Sequence, residues 1–189
     1  MARWALISGE SGVENAACAM EVLGRLKGDG IRIAGFVQRK SRNERGEKRY
    51  HLERLSTGER AILAVDGVAA KGPSEEFFCS MAFHNDAFDA ANRWVKEDAA
   101  GADLLLLDGI SKLEVSGKGH CATLEKALRL RKPVILICVR ASQLSYVIER
   151  FALHDDKMVA ALELPADQSA FDAFVGDLRE GCRARRAKP

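Results

Sequence analysis

The chain lacks most of what would fix a class by composition alone. Aromatic residues make up 6% of its 189 residues and proline occurs four times, so neither an aromatic-rich binding surface nor a proline-rich segment stands out. Its five cysteines are odd in number and scattered, which suits a reducing cytoplasm better than a disulfide framework, and a cytoplasmic location is expected. Cys79 with His84, and the adjacent His120 and Cys121, lack the recurrent spacing of a structural zinc site. The net charge is only +2 and the basic residues are interspersed with acidic ones, which argues against a nucleic-acid partner. No apolar run approaches the ~20 residues of a membrane helix. Glu10 interrupts the N-terminal apolar stretch, so no cleavable signal peptide is expected. With 47% apolar and 30% charged residues, the chain reads as one globular domain over 1–180, followed by a basic tail over 181–189.

The chain is organised around Trp4 to Met20. Trp4 to Ile7 is an apolar run that reads as a buried strand. Gly9, Glu10, Ser11 and Gly12 form a glycine-rich turn, and Val13 to Leu26 has helical spacing. Strand, glycine turn and helix together make the layout of a phosphate-binding loop, whose backbone N–H groups and helix N-terminus stabilise an anion. The full motif is GxxxxGK[ST]. Laid from Gly9, the chain has Glu14 at the second glycine, Asn15 at the lysine and Ala16 at the Ser/Thr position. The scaffold is kept while the groups that touch the phosphates and Mg²⁺ are not. Gly9 to Ala16, including Val13, is therefore a candidate anion site, or only a tight strand-to-helix turn. Losing one preorganised transition-state donor typically costs about 10²–10³ in rate, so the pattern argues against ordinary ATP hydrolysis.

Ala102 to Asp108 holds four consecutive leucines bounded by aspartates, a strand buried on both faces. Asp108 ends it at the carboxyl edge, where open α/β sheets bind ligands. It is either a metal-supporting carboxylate or a strand-end cap bonded to nearby N–H groups. Glu114 is either a general base that orients water or a helix-entry charge. Lys112, Lys118, Arg39 and Arg140 are the cations a phosphate could recruit in place of the missing lysine. Arg140 directly follows a predicted strand, Val134 to Val139. Between these stretches, Ile31 to Val37 reads as a strand and Arg39 to Arg49 as an exposed charged loop. Tyr50 to Leu55 and Ala61 to Val65 read as a hairpin about Ser56 to Glu59, and Val68 to Ser80 resists assignment. Helices are expected over Asp86 to Ala99, His120 to Arg131, Gln143 to Leu153 and Gln168 to Arg179, with a last strand over Met158 to Leu164. Phe77, Phe78, Phe83 and Phe88 read as core under the hairpin. The alternation predicts an α/β three-layer sandwich with a mostly parallel sheet and a β-hairpin insertion.

With these stretches placed, the chain resembles the small nucleoside-triphosphatase family first described in thermophiles, within the P-loop NTPases. The loop at Gly9 carries the first part of the resemblance. Gly35-Phe36-Val37 through Leu55-Ser56-Thr57-Gly58-Glu59 carries the second, and Asp103 to Glu114 the third. The chain is also similar to a related bacterial family with a lysine-less phosphate loop, through Gly35 to Gln38 and through Lys112-Leu113-Glu114 with Gly117 and Gly119. That second resemblance is favoured because it accounts for the missing lysine. Its members are often linked to molybdenum metabolism. Asp108-Gly109 departs from its usual Asn-Lys. The resemblances imply a P-loop fold and a nucleoside triphosphate with Mg²⁺, or a small oxyanion, as ligand. Three readings stay open: an accessory binder acting with a protein partner, an active nucleoside triphosphatase using Lys112 or Arg140 with Asp108 for Mg²⁺, and an interaction domain whose pocket has closed. In the last, Glu14 or Asn15 would fill the loop.

Overall fold

Trp4–Gly9 forms the first strand, β1, and every residue in it is buried. The computed structural model describes residues 2–44, 46–66, 75–78 and 80–186. Helix α1 (Gly12–Gly28) follows after only two intervening residues. Ala16, Ala19, Val22, Leu23 and Leu26 recur at helical spacing and are buried, which holds α1 against the sheet. The remaining elements are β2 (Ile33–Arg42), β3 (Lys48–Arg54), β4 (Arg60–Asp66), β5 (Glu75–Phe78), β6 (Met81–His84), α2 (Asn85–Asp98), β7 (Leu104–Ile110) and α3 (Lys112–Val115). Then come α4 (Cys121–Ala127), β8 (Val134–Arg140), α5 (Leu144–Arg150), β9 (Met158–Glu163) and α6 (Gln168–Arg186).

Among the described residues all nine strands join one sheet in the order β5-β6-β4-β3-β2-β7-β8-β1-β9. The five strands from β2 to β9 in that order are parallel, and the four beyond β2 add on antiparallel. Helices α1 and α6 cover one face and α2, α4 and α5 the other, which makes the expected three-layer α/β sandwich. Leu104 to Leu107 are fully buried because β7 is central and covered on both faces. Strand β8 lies between β1 and β7, so the ends of these three strands set Gly9, Arg140 and Asp108 side by side along one edge.

The antiparallel part is larger than a single hairpin. The charged stretch expected to be a loop is mostly strand: Arg39, Lys40, Ser41 and Arg42 pair with His51, Tyr50, Arg49 and Lys48. Cross-strand pairing orders this exposed stretch. Ser41 Oγ and His51 Nε2 lie 3.1 Å apart, and Arg39 meets Glu53 at 3.5 Å. Most of the unassigned segment, including Cys79, falls outside the described residues. The part that is described holds β5, and β6, which follows it, extends the sheet from β4 through Ala64 and Phe83.

The C-terminal helix runs to Arg186, where a basic tail was expected from 181. Cys182 is fully buried against the sheet, and Arg179 Nε donates to Asp29 Oδ2 at 2.6 Å, so packing carries the helix past the predicted boundary. No helix among the described residues is long and apolar enough to cross a membrane.

Candidate active site at the strand ends

A cleft of about 600 Å³ lies at the carboxyl ends of β7, β8 and β1 and extends under the antiparallel strands. The start of α1 forms one end of it. Helix α1 begins at Gly12, and the Asn15 N–H bonds the Ser11 carbonyl at 3.0 Å, so the motif's middle residues form a first helical turn. The free amides at that end are those of the first turn, with the helix dipole behind them. Gly12 is not needed for backbone reasons. It lies in helix, and a Cβ there would meet nothing within 4 Å. Gly9 is needed, because a Cβ would lie 2.6 Å from Asn15 Oδ1 and 3.0 Å from Leu164 Cβ.

Asn15, at the motif's lysine position, is 1% exposed, and its Nδ2 donates to the Val139 carbonyl at 2.8 Å. It ties α1 to the end of β8 and fills the space above Gly9. Its Oδ1 has no hydrogen-bond partner among the described residues. Glu10 and Glu14 are exposed and lie outside the cleft wall, and Ala16 is buried in the core. Of the eight loop residues, Ser11, Gly12, Val13 and Asn15 reach the cleft.

Asp108 is buried in the opposite wall, and its Oδ2 accepts the Gln38 N–H at 2.8 Å. This is the strand-end capping geometry, joining β7 to β2. Burial pushes its carboxyl up to about 7, against the hydrogen bonds from the Gln38 and Gly109 amides. Gly109 has φ +83, a conformation that favours glycine, and a Cβ there would displace the end of the Gln38 side chain.

Glu114 is 2% exposed and both its oxygens are engaged. Oε2 accepts the Ser111 N–H at 2.8 Å, in a capping box, and Oε1 accepts the His120 N–H at 3.0 Å. Burial raises this carboxyl to about 7 as well. Glu114 thus shapes the loop that delivers His120. Lys112 and Arg140, both exposed, line the same cleft, as do Lys40 and Lys48 from the hairpin. Lys118 is not in the wall, and Arg39 pairs with Glu53.

The structure therefore brings Asp108, Glu114, Lys112, Arg140 and half of the loop to one cleft. Sequence reasoning allowed that the basic residues of Arg39 to Arg49 could supply the missing charge if that stretch lay over the pocket, and Lys40 and Lys48 do line it. Gln38, Tyr50 and Phe88 were not expected in its wall, and His120 was weighed only as a metal ligand beside Cys121.

The donor set does not match a phosphate-loop Mg²⁺ site. Ala16 offers a methyl where the motif has a hydroxyl, and Asp108 is buried, amide-bonded and raised toward neutrality. Among the described residues, no three His, Cys, Asp or Glu side chains gather as metal ligands.

The fold, a mostly parallel sheet whose first strand runs through a glycine turn into a helix, is that of a P-loop NTPase-type α/β protein. The protein-family profile described as NTPase matches residues 5–167, and the chain belongs to that family. A curated relative, nucleoside-triphosphatase THEP1 of Methanocaldococcus jannaschii, is 24% identical over 131 residues, 68% of this chain and 74% of the relative. Among solved structures, a human cancer-related nucleoside triphosphatase superposes with TM-score 0.69 at 15% identity, covering all of both chains. THEP1 from the hyperthermophile Aquifex aeolicus gives 0.62 at 16% identity, covering 92% of this chain and 95% of the other. These structural likenesses establish the fold.

Proposed function

We propose that the protein binds a nucleoside triphosphate, or a smaller oxyanion, in the cleft and acts as an accessory or regulatory member of its family rather than as a robust hydrolase. One observation carries this reading. The position of the motif's lysine holds Asn15, and Asn15 is committed to the Val139 carbonyl. The loop thus supplies no cation to the phosphates, and its backbone forms helix where a cradle would curl. Family membership supports a nucleotide ligand. The basic residues Arg140, Lys112, Lys40 and Lys48 on the cleft wall support an anionic one. Similarity to the lysine-less, molybdenum-associated family adds molybdate to the ligands worth testing. A protein partner would then read the bound state.

Calorimetry with ATP, GTP, phosphate and molybdate tests the reading. Saturable binding of one of them is expected, and no binding at any concentration a cell could reach removes it.

A second reading, an active nucleoside triphosphatase, is favoured by family membership and by Arg140 and Lys112 sharing a cleft with Asp108. It requires Asp108 to leave the Gln38 amide and hold Mg²⁺. It predicts phosphate release that vanishes in Asp108→Ala. The closed-pocket reading is supported only at the loop, where Asn15 fills the space. The cleft beside it stays open.

A further inference from the structure

Five buried side-chain atoms among the described residues lack a hydrogen-bond partner, and three of them belong to side chains on the cleft wall: Nδ1 and Nε2 of His120 and Oδ1 of Asn15. A buried polar group without a partner is costly, so such groups cluster where a ligand completes them. His120 is the extreme case, at 1% exposure with both ring nitrogens unpartnered.

Its placement is built. Gly117 and Gly119 have φ +84 and +58, and a Cβ on Gly119 would fall 2.4 Å from Glu114 Oε1. Glu114 holds the His120 amide from below. The imidazole then sits 4.5 Å from the Phe36 ring and 4.8 Å, edge on, from Phe88, which stacks on Phe83 at 6.0 Å. This end of the cleft is an aromatic wall with one donor and one acceptor set in it, because a neutral imidazole carries both. Burial keeps the ring neutral by lowering it to about 3.

Flat heteroaromatic rings meet both requirements, since they stack on aromatic side chains and present hydrogen-bonding edges. The part of the cleft at Gly12, beside Arg140 whose strand end pairs with Gly9, suits an anion.

We infer that His120 is a ligand-recognition residue: it hydrogen-bonds the heteroaromatic ring of an anion-bearing ligand, with the ring seated against Phe88 and Phe83 and the anion at Gly12 and Arg140. This deepens the nucleotide reading above and rests on it. It also sets that ligand's base under the antiparallel strands.

The test compares ATP, GTP and tripolyphosphate, which has the charge without the ring, on the wild type and His120→Phe. Phenylalanine keeps the aromatic wall and removes both nitrogens. A loss of at least about tenfold in nucleotide affinity is expected, with tripolyphosphate affinity within about twofold of wild type. Equal nucleotide affinity in the two proteins overturns the inference and leaves the nucleotide reading standing. No nucleotide binding to the wild type overturns both. If the variant does not fold, the His120 ring ¹⁵N resonances of the wild type decide. They shift on addition of nucleotide and not of tripolyphosphate, or the inference is wrong.

Discussion

Asn15 Nδ2 donates to the carbonyl of Val139 at 2.8 Å, joining the first helix to a strand 124 residues away. The position that carries the phosphate-binding lysine in the motif has become an internal tie. Asn15→Ala removes a side-chain donor to a carbonyl at the end of β8 and also an unpartnered Oδ1. The two effects partly offset, and a destabilisation of about 1 kcal/mol is expected in denaturant unfolding. An unchanged midpoint would mean the tie contributes nothing.

Gly9 and Gly12, the two glycines of the loop, should behave oppositely. Gly9→Ala drives a Cβ into Asn15 Oδ1 and Leu164, for a loss of about 1–3 kcal/mol. Gly12→Ala meets nothing and favours helix, for a gain of up to about 1 kcal/mol. Combining Gly9→Ala with Asn15→Ala should recover part of the Gly9 loss, because the nearest atom is then gone. Thermal unfolding of the three variants checks the order.

The two raised carboxyls give a pH signature. Asp108 and Glu114 rise to about 7 when folded, so near pH 6.5 the native state holds protons that the unfolded state has lost. Stability should therefore fall as pH rises toward and through about 7, most steeply below it, at up to about 1.4 kcal/mol per pH unit for each proton released, and level off by about pH 8. His120 and His51, both lowered, act in the other direction, but below about 6.5, where the unfolded imidazoles charge. Asp108→Asn keeps an acceptor for the Gln38 N–H and should remove roughly half of the slope above 6.5. A flat profile in the wild type would contradict the burial of both groups.

Arg140, whose strand end pairs with Gly9, is the cation beside the loop, and Lys112 lines the same cleft. Arg140→Ala should weaken nucleotide binding by about tenfold and reduce its dependence on salt, since a charge-assisted contact is lost. Calorimetry at two ionic strengths measures both. Undiminished affinity would move the anion elsewhere in the cleft.

Much of the scaffold was legible. Apolar runs at Trp4, Leu104 and Val134 have no polar interruption, so burial on both faces followed directly, and the order of strands and helices gave the three layers. Strand β6 was not legible, because Met81 to His84 is short and its pairing with β4 is set by contacts distant in sequence. The hairpin's extent was hidden by charge, since Arg39 to Arg42 look like loop until their partners on β3 are known. At the site, the departures at Glu14, Asn15 and Ala16 were plain, and so was Asp108. The early start of α1 was not, because Gly12 in a phosphate motif reads as a turn. His120 was hidden for a different reason. A histidine's meaning depends on which partners it lacks, and only packing against Phe36 and Phe88 reveals that.

On the proposed reading the cleft binds nucleotide while the altered loop leaves hydrolysis weak or absent. Phosphate release should be measured with ATP or GTP at about a hundredfold excess over Kd, where binding adds about 2.7 kcal/mol to stability and is visible as a rise in Tm. A clear rise in Tm together with phosphate release no faster than in buffer is expected. Turnover of about 1 s⁻¹ or more, in the range of ordinary enzymes and abolished by Asp108→Ala, would contradict it.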